Sequence, residues 1–446
     1  MQLPFGLSSY SRADGRLAPV RLINLFAEES PTSPGGGIVL LPRYGLNPLY
    51  SRASVRGIYR EDGVFAGDLF VVAGTTLYRN NTSIGTVAGT DRVEFAYTVD
   101  GLFVLGNGIV YDTDGVTVTA TSFPDSAAVA SISQINSILL AVRRDTGTVY
   151  FRLPGDTVWG ALDFFSAERE PDPAICVRAL SDVVYVYGSS SIEPYVPTGD
   201  SAVPLQRLDG SSISRGLKDR DSVALLDNTL FHVGEDNIAY RLDSVPTRIS
   251  NHGIEERIGL SATIKAFTFA QDGHTFYVMG LATETLVYDV STGRWAQFTY
   301  NGGAFPNVGL YDGETAYVGG DEVWTLTNRS NDDGVAMERL FTSVAATNQP
   351  VTCDCIEIQL SPGVTEINDE PAVVATRFSD DQGRSWSDYQ LASTGFGGQY
   401  RKRVRVRRLG MIDAPGRLFE HRITDDTNIR FSGVEMNPPM GGRSRP

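Results

Sequence analysis

Histidine and cysteine are scarce in this chain, with four of the first and three of the second among 446 residues. An odd trio of thiols, Cys176, Cys353 and Cys355, excludes a disulfide framework. Cys353 and Cys355 share one face of a strand, and no histidine lies nearby to complete a tetrahedral zinc site. Buried free thiols are therefore expected. His232, His252, His274 and His421 are scattered and form no ligand motif. A general base needs an oriented partner, and the spacing supplies none. His232, inside Leu230-Phe-His-Val233, is expected to be a packed, hydrogen-bonded ring. No catalytic residue, metal or cofactor is expected.

Long apolar runs are missing too. Nothing approaches the roughly 20 residues of a membrane helix, so no membrane insertion is expected. The opening, Met1-Gln-Leu-Pro-Phe-Gly6, has neither a basic leader nor an apolar run. It does not read as a signal peptide, and folding in a cytoplasm is expected. No GxxxxGK[ST] loop supports ATP hydrolysis, and Gly35-Gly-Gly37 reads as a hinge. Cations are outnumbered, 38 against 53, for a net charge of −15. That argues against general nucleic-acid affinity, which cations drive by displacing counterions. It leaves room for a protein that surrounds DNA without gripping it.

What the chain has is repetition. A short apolar strand, a turn and a second strand recur with openings near Leu69, Leu102, Ile138, Val183, Leu230, Phe276 and Ala316. Glycine (46) and proline (22) are plentiful enough to supply the turns. One hairpin cannot hide its apolar face, whereas several packed radially bury one another. Such repetition marks an all-β chain with a β-propeller. Six blades are expected, within a range of five to seven, if one hairpin is shared with the arm or serves closure.

Residues 1–56, rich in turn formers such as Ser30-Pro-Thr-Ser-Pro-Gly-Gly-Gly37, read as an extended N-terminal arm lying on the propeller or a neighbouring subunit. The propeller spans 57–327. Asn328-Arg-Ser-Asn-Asp-Asp-Gly334 is a polar break. Alternating strands over 335–436 suggest a C-terminal β-sandwich-like domain, and 437–446 read as a tail. No long amphipathic helix is evident.

Three constellations bear on chemistry. Ser379-Asp-Asp-Gln-Gly-Arg-Ser-Trp386 fits an Asp box. In it Asp381 accepts backbone N–H bonds, Gly383 allows positive φ, Trp386 packs beneath, and Ser379 and Ser385 complete the turn. Asp boxes are common in sialidase-like propellers, but the motif is a structural turn there as well. Loop carboxylates are abundant, among them Asp163, Glu168, Glu170, Asp172, Glu255 and Glu256. A retaining glycosidase needs two of them about 5 Å apart, and spacing alone places no pair. Arg401-Lys-Arg-Val-Arg-Val-Arg-Arg408 is the one concentrated positive patch. As a strand it puts Arg403, Arg405 and Arg407 opposite Val404 and Val406. The strip formed by Arg401, Lys402, Arg403, Arg405, Arg407 and Arg408 suits an acidic partner surface or a phosphate backbone. It equally suits a solvated sheet face paired with acidic neighbours.

An ordered set of phrases runs through the chain. It begins with Val20-Arg-Leu-Ile-Asn-Leu-Phe-Ala-Glu28 and Leu41-Pro-Arg-Tyr-Gly-Leu46. Trp159-Gly-Ala-Leu-Asp-Phe-Phe-Ser-Ala-Glu168, Pro171-Asp172, Gly188-Ser-Ser-Ser-Ile-Glu193 and Thr198-Gly-Asp200 follow. Leu226-Asp-Asn228, Pro246-Thr-Arg-Ile-Ser-Asn-His-Gly-Ile-Glu255 and Arg407-Arg-Leu-Gly410 complete it. Together they resemble the packaged-DNA stabilisation proteins of short-tailed bacteriophages, the tail hub or nozzle component. One departure is Arg43-Tyr-Gly-Leu46, where such proteins usually read Thr-Pro-Gly-Leu.

The resemblance implies a structural virion protein without catalytic activity, located in the virion tail and in the host cytoplasm during assembly. Six copies would form a homohexameric ring below the portal adaptor protein, continuing the channel for packaged double-stranded DNA without sequence-specific binding. Tail fibre or spike proteins, and a needle or plug, would attach to it. The rival readings are a propeller glycosidase and a glycan-binding adhesin using exposed aromatics near Tyr195 or Trp295.

Overall fold

A computed structural model describes residues 1–4, 6–11, 18–29, 37–167, 170–226, 228–361 and 370–438. Most of the Ser30–Gly37 turn-rich stretch, Glu168, Asp227 and residues 439–446 of the expected tail lie outside the described residues. The rest is almost wholly β, with one eight-residue helix, His252–Gly259.

Seven four-stranded antiparallel units follow one another; the first six are simple meanders, and the sixth continues into a ten-stranded sheet. Their first strands are Val55–Tyr59, Glu94–Thr98, Val129–Ile135, Ala174–Leu180, Ala224–Leu226, Lys265–Gln271 and Val308–Tyr311. Each hairpin opening read from the sequence falls in, or one residue before, the second strand of one sheet. Seven hairpins therefore make seven blades, and the expectation of six is corrected. The physical reason lies in the last blade. Ala316–Gly319 and Val323–Thr327 continue it from Val308–Tyr311, and its fourth strand is Gly45–Tyr50 from the N-terminal segment. No hairpin is spent on closure, because a distant strand supplies it.

Each pair of adjacent blades has its own apolar core. Phe70, Val72, Leu102 and Val104 lie between blades 1 and 2, and Leu140, Val142, Val177 and Val184 between blades 3 and 4. Val55, Ile58, Val71, Val308 and Val323 join blade 7 back to blade 1 and close the ring. The inner strands crowd towards the axis. A Cβ on Gly57 would stand 2.3 Å from Val93 Cγ2, and one on Gly309 would stand 2.3 Å from Phe267 Cδ2. Glycine is required there by close approach, not by φ.

The C-terminal part is two sheets face to face. One contains Arg339–Ala346, Gly416–Ile423, Val373–Ser379 and Gln390–Ser393. The other runs Leu25–Glu29, Ile38–Pro42, Phe431–Met436, Cys355–Leu360 and Val404–Arg407. N-terminal residues are thus woven into both units. Leu22–Ile23 bridges Arg294–Tyr300 of blade 6 to Arg339–Ala346, so one hydrogen-bonded sheet crosses from propeller to sandwich. A single apolar core containing Phe26, Leu46, Phe276, Phe298, Phe341 and Phe431 follows the same path.

Candidate docking strip and axial pocket

Val404–Arg407 is the edge strand of the second sandwich sheet and pairs on one side with Cys355–Leu360. Val404 and Val406 point into the core, as alternation requires. Arg405 is the member of the strip that the fold uses. It stands directly across from Glu357, with Nε 2.6 Å from Glu357 Oε2. Arg401, Lys402, Arg403, Arg407 and Arg408 are exposed, and none makes an ion pair among the described residues.

The Asp box forms the turn between Val373–Ser379 and Gln390–Ser393. Asp381 Oδ1 accepts from Ser385 N–H at 2.8 Å, Arg384 N–H at 3.0 Å and Ser379 Oγ at 2.7 Å, while Oδ2 accepts from Ser385 Oγ at 2.6 Å. Ser385, followed by Ser379, holds the carboxyl well below the ordinary carboxylate range. Gly383 sits at φ +92°. The half-buried Trp386 donates to Gly383 O at 3.2 Å beneath the Arg377 guanidinium, 4.7 Å from its ring centroid. These residues satisfy one another and build a turn in the sandwich, away from the propeller axis.

The singled-out acids are dispersed. Asp172 accepts from Ser190 N–H and Ser191 Oγ at 2.7 and 3.0 Å. Glu255, in the first turn of the helix capped by Asn251, takes both prongs of Arg248 at 2.7 Å. Asp163 and Glu170 lie in connections of blade 3. The histidines divide likewise. His421 is buried between the Ser343 and Thr376 hydroxyls, His274 faces Asp289 at 2.9 Å, and His252 is exposed. His232 is packed as expected, between Tyr187 and Tyr240, but neither ring nitrogen finds a partner among the described residues. Cys176 and Cys353 are buried and Cys355 is half-buried. Tyr195 and Trp295, where an adhesin would need exposed rings, are buried at 4% and 2% relative exposure.

Sequence reasoning missed the propeller's axis. A cavity of about 580 Å³ opens among the inner strands, lined by Ile58, Tyr59, Phe95, Tyr97, Ile135 and Arg178. Its floor is a knot of charge. Glu94 accepts from Arg178 at 2.5 Å and from Ile132 N–H at 2.8 Å, with Arg220 Nε 3.4 Å away. Arg220 also bonds Asp221 at 2.8 Å and the carbonyls of Ala130 and Arg92. Burial pushes the Glu94 carboxyl up, but Arg178 and Arg220 outweigh it and hold it below its ordinary value. Glu94 is therefore a fixed anion, not an acid poised to give up a proton. The available signal was a charged residue interrupting apolar inner strands at Glu94 and Arg178, with the dense run Lys218-Asp-Arg-Asp221.

Residues 1–332 match the family described as "Bacteriophage P22 Gp10, beta-propeller", and residues 338–438 match "Bacteriophage P22 Gp10, beta-sandwich". The chain belongs to the bacteriophage P22 Gp10 family. The two matched segments meet beside Asp332, where the propeller hands over to the sandwich. A curated relative of the same family is the tail hub protein gp10 of Salmonella phage P22, 23% identical over 417 residues that cover 82% of this chain and 84% of the relative. Solved structures are also similar to this chain at low identity. Virginiamycin B lyase from Staphylococcus aureus is 11% identical, with a TM-score of 0.45 over 64% of this chain and 99% of that one. The β-propeller domain of Cps50 (Swd1) from Myceliophteria thermophila is 9% identical, with a TM-score of 0.42 over 64% and 99%. Likeness at that level carries no argument.

Proposed function

We propose that this chain is the tail hub of a short-tailed phage, a mechanical part and not an enzyme. The observation that carries the reading is collinear kinship with the P22 tail hub protein through both the propeller and the sandwich. The architecture suits the role. Seven blades closed by a distant strand, and tied to a sandwich by a continuous sheet, make a stiff wedge.

In this reading six copies form a ring below the portal adaptor, continue the channel for packaged DNA and hold it without sequence-specific contacts. Fibres or spikes and a needle or plug attach outside and below. The chain assembles in the host cytoplasm, works in the virion tail and enters no membrane. Its arginine strip docks on an acidic protein surface. The paired state of Glu94 supports a non-catalytic role, because a glycosidase acid needs the opposite pKa shift.

The test is complementation. Phage particles assembled without this chain should lose their packaged DNA, and the purified chain should restore both tails and DNA retention. Particles that hold DNA and infect without it would remove the reading. Hydrolysis of an aryl glycoside, abolished by Glu94→Gln, would replace it with the enzyme.

A further inference from the structure

In a meander blade the turns after strands one and three leave on the same face of the disc, because strand direction alternates. Every blade places an exposed carboxylate there: Asp62, Asp100, Asp156, Asp182, Asp243, Asp272 and Glu314. Among the described residues the cations after these strands are Arg60, which is ion-paired with Asp312, and Arg329, which follows strand three of blade 7 and donates to Asn47 Oδ1.

Blades 2 to 5 add a second feature to that face. Val99 and Val116 of blade 2 are 68% and 67% exposed, next to Asp100 and Asp114. Val158, Val203 and Val245 repeat the pattern in blades 3, 4 and 5, each within three residues of an exposed aspartate. A wall for sliding DNA has no use for bare valines, whereas apolar tips among like charges are the make-up of a protein interface.

The arginine strip is the counterpart. Its five exposed cations, without ion pairs among the described residues, lie in or beside the edge strand Val404–Arg407, and Phe396, Tyr400 and Met411 near it are 53–72% exposed. The sandwich that carries the strip is joined to blades 6 and 7, whereas the valine–aspartate turns belong to blades 2 to 5, so the two surfaces come from separate parts of the chain.

We infer that these two surfaces bind each other between copies, the strip of one chain seating on the turn face of blades 2 to 5 of the next. The occupant of each patch is a second copy of this chain. Such a contact is heterologous, and it yields a ring when the rotation per subunit closes. The inference deepens the tail-hub reading by naming the surfaces that build its ring.

The experiment uses the full chain in analytical ultracentrifugation over a concentration series at low and high salt. One variant reverses the strip (Arg401→Glu, Arg403→Glu, Arg407→Glu, Arg408→Glu). Another reverses the face (Asp156→Lys, Asp182→Lys, Asp243→Lys). Each alone should associate at least about tenfold more weakly than the wild type. Mixed one to one they should regain association, because each copy then meets its opposite charge at both contacts. Val99→Ser with Val116→Ser and Val203→Ser leaves the charges intact and should also weaken association, which covers a charge variant that fails to fold. Reversed variants that associate like the wild type, a mixture that gains nothing, or a wild-type chain that stays monomeric would overturn the interface. Changed DNA retention with unchanged association would make the face a channel wall. In all of these cases complementation of particles still judges the hub reading separately.

Discussion

The Arg43 guanidinium donates two hydrogen bonds to the Asp332 carboxylate, at 2.8 and 2.5 Å, with both side chains almost wholly removed from solvent. Arg43 also reaches Asn24 Oδ1, Tyr44 O and Thr299 O, while Asp332 accepts from Leu46 N–H. The N-terminal segment, blade 6, blade 7 and the entry to the sandwich therefore share one polar knot. It sits where this chain departs from the family's usual Thr-Pro-Gly-Leu turn.

Breaking that pair from one side leaves an uncompensated charge in the core. Arg43→Met or Asp332→Leu alone should cost about 3–5 kcal/mol, whereas the double variant should recover part of the loss. Urea midpoints of the three variants measure it. Singles with unchanged midpoints would show that the knot holds nothing together.

The borrowed strand should be as important as any core element. Leu46, fully buried in Gly45–Tyr50, should cost about 2–5 kcal/mol on replacement by alanine. Leu49 of the same strand, 38% exposed, should stay within about 0.5 kcal/mol. Equal effects in thermal unfolding would contradict the packing of blade 7.

Two buried imidazoles make stability depend on pH. Burial pushes His421 down to about 3 and His232 down to about 4, from an ordinary 6.5. Both are neutral in the fold and take up protons on unfolding. Stability is complete above pH 6.5 and falls as the pH drops from 6.5 towards 4, by on the order of 1 kcal/mol per pH unit for each ring. His232→Phe, which keeps the packing against Tyr187 and Tyr240, should flatten that slope and leave stability at pH 7.5 unchanged or higher. A slope identical to the wild type would disprove the assignment.

Within the strip the arginines should separate by role. Arg405→Gln loses a cross-strand pair with Glu357 and should destabilise the monomer by about 1 kcal/mol. Arg403→Gln with Arg407→Gln should leave the melting temperature unchanged and weaken assembly instead. The reverse order of effects would mean that the exposed members are only solvated surface.

Much of this was legible in advance. The hairpin openings from Leu69 to Ala316 each marked the second strand of a blade, because a two-residue period and glycine-rich turns are local properties. Alternation put Val404 and Val406 inside and the arginines outside, and the Asp box built itself from neighbours within eight residues. The blade count was not legible, since Gly45–Tyr50 gives no local sign that it pairs with Val323–Thr327 some 280 positions away. Nor was the axial knot, where Glu94, Arg178 and Arg220 come from three different blades.

The amino-acid order by itself determined the repeating β-unit, the scarcity of histidine and cysteine and the family phrases, all of which need only composition or near neighbours along the chain. Tertiary structure decided what each charge is for. Arg405 became a cross-strand partner, Arg43 a central rivet and Arg403 an exposed cation with no ion pair among the described residues, although the three are chemically identical. The physical reason is that a guanidinium's role depends on which carboxylate and how much water surround it, and both are set by contacts far apart in sequence.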